Sequence, residues 1–168
     1  MIIESTNPST VKVPHQAKWV RFRENREPTE ALVWIFTDGS IVDKGTMGGY
    51  GAVVLHEGEE RSYSGKEALT STRNVGSELN GLLMGLRNVP EGSELAIVSD
   101  YLGIAAWLSG NWKIKDSEVR RKINEAKKIA NERNLTFARL IHHKGHQKDD
   151  SAFTRLNHRA DRLAAGEL

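Results

Sequence analysis

Residues 32–40 read Leu32-Val33-Trp34-Ile35-Phe36-Thr37-Asp38-Gly39-Ser40. A short apolar, β-rich run halts at a turn signal, the pattern of a buried strand that presents an aspartate at its carboxyl end. Downstream, Gly49 to His56 and Glu60 to Lys66 flank Glu57-Gly58-Glu59, which predicts a hairpin carrying the sheet outward. Leu79, Leu82, Leu83 and Leu86 recur at i, i+3, i+4 and i+7, so an amphipathic helix is expected from near Asn74 to a stop before Pro90, with Glu78 in its first turns. Leu95-Ala96-Ile97-Val98-Ser99 repeats the opening pattern: an apolar strand that stops on an aspartate, Asp100, ahead of a short helix over 101–109. Val119, Ile123, Ala126 and Ala130 mark a Lys- and Arg-rich helix over 116–133, Leu135 to Ile141 a further strand, and Leu156, Ala160, Leu163 and Ala164 the stripe of a last helix.

The order β-β-β-α-β-α-α-β-α predicts an α/β fold with a five-stranded mixed sheet: an antiparallel meander of the first three strands, then two strands in parallel crossovers, flanked by helices. Ligands in such sheets gather beyond the carboxyl ends of the parallel strands, where Asp38 and Asp100 stand.

The chain has 168 residues, enough for one domain that buries about two thirds of its unfolded surface without a staple. Residues 1–30 mix Pro8, Pro14 and Pro28 with scattered charge and no apolar period, which predicts a partly ordered extension. Its patch Trp19-Val20-Arg21-Phe22-Arg23 could dock on the body or on a ligand. Residues 31–168 form the expected folded domain. With no cysteine, disulfide scaffolds and thiolate chemistry are excluded, and a reducing cytoplasm is the expected setting. No apolar run approaches the length of a membrane span. The formal charge of +2, from 24 bases against 22 acids, is too balanced to announce a polyanion partner by itself.

The acids decide more than the total. Taken singly, Asp38 reads as a turn former, Asp100 as a helix cap, and Asp161 as the partner of Arg159 or Arg162 on a solvated face. If the strands ending at Asp38 and Asp100 are neighbours, however, their carboxylates sit about one strand spacing apart, roughly 5 Å. Like charges at that distance call for a cation, and all-oxygen ligation selects a hard divalent ion such as magnesium or manganese. Glu78 faces the same edge, and Asp161 lies beside the buried stripe of the last helix. Four acids at one edge suit a two-metal site for phosphoryl transfer, with ions about 3.5–4 Å apart. Of six histidines, four fall between His142 and His158, but adjacent His142-His143 has no second cluster at ligand spacing, so zinc is not expected. His146, after Lys144-Gly145, could shuttle a proton or could be an exposed loop residue.

These stretches resemble type 1 ribonucleases H. Thr37-Asp38-Gly39-Ser40 with Gly48-Gly49-Tyr50-Gly51 resembles the family's opening motif, Asn74 to Leu79 its helix motif with the glutamate, and Val98-Ser99-Asp100 its third-acid strand. Lys144-Gly145-His146 and Asn157 to Ala164 resemble its histidine loop and final helix. The resemblance implies a metal-dependent endonuclease that hydrolyses the RNA strand of RNA–DNA hybrids and leaves 5′-phosphate ends. In that case Asp38, Glu78, Asp100 and Asp161 hold two Mg2+ ions, with Mn2+ able to substitute, and His146 assists proton transfer or product release. Substrate contacts fall to Gly39, Ser40, Asn74, Trp112, Lys113 and Lys144. The chain departs from the family at Val75, where a second asparagine is usual, and at Arg73, where a threonine of the DNA-phosphate pocket is common. It also passes within a few residues of Asn111-Trp112-Lys113 into the Asp116 helix, so the basic protrusion of many members looks absent. Arg120, Arg121, Lys122, Lys127 and Lys128 could replace that protrusion or form a solvated face.

The partner implied is an RNA–DNA hybrid; neither a membrane nor an obligate protein partner is expected, and the chain reads as a monomer. Competing readings are a nuclease of the same fold with another substrate, resolvase-like or acting on double-stranded RNA, and a catalytically weak nucleic-acid-binding module. Removing the four candidate ligands from the 22 acids leaves 18 against 24 bases, a remainder of +6 that suits a polyanionic substrate.

Overall fold

The computed structural model describes residues 2–6, 20–23 and 25–168. In chain order its elements are β1 (Ile3–Ser5), β2 (Val20–Phe22), β3 (Val33–Val42), β4 (Met47–His56), β5 (Glu59–Ala68), α1 (Asn74–Arg87), β6 (Glu94–Ser99), α2 (Leu102–Leu108), α3 (Ser117–Glu132), β7 (Thr136–His142) and α4 (Ala152–Ala164). The strands make one mixed sheet in the order β2-β1-β7-β6-β3-β4-β5. Helices flank the sheet, as the α/β pattern requires, and among the described residues no helix is long and apolar enough to cross a membrane.

The central strands are apolar without interruption because both of their faces are covered. Along β3, Val33 and Ile35 point to one side, where they join Leu79, Leu82 and Leu86 of α1 and Ile123 of α3. Trp34 and Phe36 point to the other side, where they meet Phe153, Leu156 and Ala160 of α4. The rings of Trp34 and Phe36 lie 5.3 and 5.7 Å from that of Phe153. The expected hairpin is present: β4 and β5 join through Glu57-Gly58, both at positive φ, the backbone that a two-residue turn between right-twisted strands demands.

Two expectations need correction. Among the described residues the sheet has seven strands, because two short strands from the 1–30 segment add to its edge: Ile3 pairs with Leu140 and Ser5 with His142, and β2 pairs in parallel with β1. Each has three residues, too few to carry a period, so only the long-range partner reveals them. Of the Trp19–Arg23 patch, Val20–Phe22 forms β2, whereas Trp19 lies outside the described residues, as do Pro8 and Pro14. Nor does β3 stop at Asp38. Its parallel pairing with β6 ends at Thr37 opposite Ser99, but its antiparallel pairing with β4 continues from Asp38 opposite Gly51 to Val42 opposite Met47. The Asp-Gly-Ser signal marks the end of one partner strand, and the chain reverses later, at a single tight helical turn over Asp43–Gly45.

Phe153 is 1% exposed and fills the α4 face between Trp34 and Phe36. Phe153→Ala is expected to lower unfolding free energy by about 3–5 kcal/mol, read as a lower urea midpoint at unchanged slope.

Candidate active site

Parallel pairing of β3 with β6 sets Asp38 and Asp100 just beyond the matched residues Thr37 and Ser99, at one edge of the sheet. Glu78 comes to the same edge from α1. A Cβ on Gly39 would collide with the backbone of Ser77 and Glu78, so the absence of a side chain there lets the helix close on the strand beside Asp38. Carboxylate oxygens of Asp38, Glu78 and Asp100 lie within 4.8 Å of one another. Asp161, half-buried on α4, lies close enough to Asp38 to act on its charge. The expected adjacency of the strand ends is therefore observed, with three acids tightly grouped and the fourth beside Asp38.

Burial and mutual repulsion dominate the electrostatics. Asp38 and Glu78 are 4% and 5% exposed. Burial, then the Asp100 charge and the hydrogen bond with Asp161, pushes Asp38 up to about 8, although the Gly39 N–H donates to Asp38 Oδ1 at 2.9 Å and pulls the other way. Burial, followed by the charges of Asp38 and Asp100, holds Glu78 well above the usual carboxylate range. Asp100 is raised by burial, against the lowering effects of its hydrogen bond with Asp38 and the nearby His146. Among the described residues, no Lys or Arg forms an ion pair with any of the four acids.

Glu78 Oε2 is buried without a hydrogen-bond partner. An orphaned carboxylate oxygen costs free energy unless something positive meets it. Clustered, cation-poor, all-oxygen donors fit a hard divalent ion, which would relieve the repulsion and satisfy that atom.

The loop after β7 closes the site. A Cβ on Gly145 would lie 2.7 Å from Asp100 Oδ2, so glycine allows the backbone to pass against that carboxylate. His146 follows at φ +57° with an exposed side chain. His142, which has no role in the sequence reading once zinc is set aside, donates from Nε2 to the Asp100 carbonyl at 3.1 Å. Its signal was its place at the end of the strand beside β6.

The remaining candidates are dispersed. Gly39 and Ser40 continue β3 past Asp38, Asn74 is exposed at the start of α1 next to Arg73 at φ +52°, and Lys144 is exposed on the loop. Trp112 and Lys113 line a separate cleft of about 480 Å3 with Trp107 and Lys115 that includes none of the four acids. Trp112 packs edge-on to Trp107 with centroids 6.0 Å apart. Lys122 does not belong to an exposed basic face: it is 4% exposed and donates to Asn80 Oδ1 at 2.7 Å, because it stands among the inward positions Val119, Ile123 and Ala126.

The family model described as RNase H matches residues 30–168. The chain belongs to the RNase H family. Proteins named Ribonuclease H from Salmonella arizonae and Salmonella newport are each 35% identical to it over 94 residues, 54% of this chain; the chain spans 59% of the length of these relatives. The N-terminal RNase H domain of a Mycobacterium tuberculosis protein, solved as a fusion with maltose binding protein, is 25% identical with a TM-score of 0.57, over 80% of this chain and 91% of that one. LC11-RNase H1, solved in complex with an RNA/DNA hybrid, shares the fold at a TM-score of 0.60 and 23% identity, over 78% of this chain and 92% of that one.

In this RNase H chain the acid cluster makes metal-free stability depend on pH. Because Asp38 titrates near 8 when folded and near the ordinary aspartate value of 3.8 when unfolded, the folded form holds the proton more tightly. Stability is then greatest below the unfolded value and falls as pH rises toward 8. Asp38→Asn is expected to raise the melting temperature of the chelator-treated protein at pH 8 by several degrees, the effect of about 1–2 kcal/mol in a domain of this size, with little gain at pH 4.

Proposed function

We propose that this chain is an endonuclease that hydrolyses the RNA strand of RNA–DNA hybrids and leaves 5′-phosphate ends, acting as a cytoplasmic monomer. The observation that carries the reading is the close group of Asp38, Glu78 and Asp100, with Asp38 and Glu78 buried, half-buried Asp161 beside Asp38, and no Lys or Arg partner among the described residues, in a chain of this family. These four would hold two Mg2+ ions, with Mn2+ able to substitute. When bound, such a pair supplies charge stabilisation for the attacking and the leaving oxygens of phosphodiester hydrolysis.

The chain's own residues do the rest. The carboxylates fix the cluster at the sheet edge, and the Gly39 N–H orients Asp38 through Oδ1. His146, exposed on a loop that touches Asp100, would deliver a proton to the leaving 3′-oxygen or ease product departure. Selectivity for RNA rests on its 2′-hydroxyls, read across a wide minor groove by Gly39, Ser40 and Asn74. Lys144, Lys113 and Trp112 contact the phosphate backbones.

In place of a long basic protrusion, the short 109–116 connection carries Lys113 and Lys115 into α3, whose Arg120, Arg121, Lys127 and Lys128 are exposed. That face supplies sequence-independent attraction to the hybrid. Replacing Arg120, Arg121 and Lys127 together by Ala is expected to weaken hybrid binding and to reduce the slope of log K against log salt by roughly one for each phosphate that is no longer neutralised. An unchanged slope would remove α3 from the interface.

On a labelled hybrid with Mg2+, wild type is expected to cut the RNA strand and leave duplex DNA intact. Asp38→Asn is expected to lose at least about a thousandfold in rate, corresponding to several kcal/mol of transition-state stabilisation. Equal activity of wild type and variant would sink the metal-dependent reading. Equal cutting of hybrid and duplex DNA would favour a resolvase-like enzyme instead.

A further inference from the structure

We propose that residues 3–6 together with residues 26–27 form a strap that positions the Lys144-Gly145-His146 loop and Asp100, with Thr6 and Arg26 as its positioning residues. The inference rests on the reading of the site given above and extends it to a segment that the sequence presented as a tail.

A closed ring of hydrogen bonds carries it. Thr6 Oγ1 meets His143 Nδ1 at 2.7 Å, and His143 Nε2 meets Thr154 Oγ1 at 3.1 Å. Thr154 Oγ1 donates to Asp149 Oδ1 at 2.9 Å, Arg26 Nη1 donates to Asp149 Oδ2 at 2.6 Å, and Arg26 Nη2 donates to the Thr6 carbonyl at 3.1 Å. The direction of each bond follows. Because the Thr154 hydroxyl gives its proton to Asp149, it must accept from His143 Nε2, which leaves Nδ1 to accept from Thr6. Burial, together with the Arg26 charge, pushes His143 down to about 4, consistent with a neutral ring that has one donor and one acceptor nitrogen.

The ring encloses the base of the loop. His143 and Asp149 are the residues that bracket 144–148, and each is held by a group from the N-terminal segment. On the first flank the Thr6 N–H also donates to the His142 carbonyl at 3.1 Å, and Ser5 Oγ approaches His142 Nδ1 at 3.4 Å while Nε2 of the same ring holds the Asp100 carbonyl. On the second flank the first turn of α4, whose N–H groups have no partner within the helix, is met by the extension: Phe153 N–H donates to the Arg26 carbonyl at 3.0 Å and Ala152 N–H to Glu27 Oε1 at 3.2 Å. A loop pinned at both ends has fewer accessible conformations, and the outer partners of a catalytic constellation fix the geometry of the groups they hold.

Two measurements on Thr6→Val, Thr6→Ser and wild type test this. The first is amide hydrogen exchange of the metal-free protein without substrate. Thr6→Val, which leaves the buried Nδ1 without its donor, is expected to speed exchange of the His143 and Phe153 amides, which donate to the Ser99 and Arg26 carbonyls at the two ends of the loop, about tenfold while α1 is unchanged, and Thr6→Ser to restore protection. The second is cleavage of a labelled hybrid, where Thr6→Val is expected to lower kcat about tenfold with KM within about twofold, and Thr6→Ser to recover it. Should Thr6→Val not fold, Arg26→Gln, which breaks the ring at a partly exposed position, carries the same comparison. Exchange at those two amides equal to wild type, exchange that rises equally in α1, or faster exchange there with unchanged kcat would each overturn the proposal. If wild type cuts no hybrid, the functional reading fails, and the exchange comparison still decides whether the strap holds the loop.

Discussion

The parallel register of β3 on β6 is the constraint from which the site follows. Matching Thr37 to Ser99 brings two aspartates to one sheet edge, and burial of both faces of these strands leaves little freedom to move them apart. The cores above and below the sheet thus hold together charges that would separate in water. Glu78 is added by a helix packed close on Gly39, so the crowding is built by apolar packing on one side and backbone proximity on the other. Packing therefore holds the acids against their own repulsion, and the cluster costs folding free energy unless a positive charge meets it.

Much of this was legible in the sequence, for identifiable reasons. Strands buried on two faces read as unbroken apolar runs, so Leu32 to Phe36 and Leu95 to Ser99 stood out, and with them the acids at their ends. The Leu79–Leu86 stripe fixed the face of α1 and hence of Glu78, and Asp161 followed from its place beside Leu156, Ala160 and Leu163. Lys122 was also within reach. It stands three residues after Val119 and four before Ala126, on the buried stripe, but its charge suggested water, whereas Asn80, the Gly76 carbonyl and nearby Glu118 receive it instead.

What escaped was the part made by partners far away in sequence. β1 and β2 are too short to show a period, and they exist because β7 offers an edge. His142 and His143 invited a search for zinc, whereas their partners, Ser5 and Thr6, lie 137 residues away in the chain. No local window contains such a pair, and a polar residue that will be buried and satisfied looks the same in sequence as one left in solvent.

The same separation has a bearing on synthesis. Asp38 emerges on the first long strand, whereas His142, Asp149 and Asp161 belong to the last strand, the loop after it and α4. A chain still being translated can assemble the β3–β5 meander and α1 early, since these are neighbours in sequence, but the acid cluster stays incomplete until α4 has cleared the ribosome. A partly made chain therefore carries a folded meander without the complete four-acid cluster.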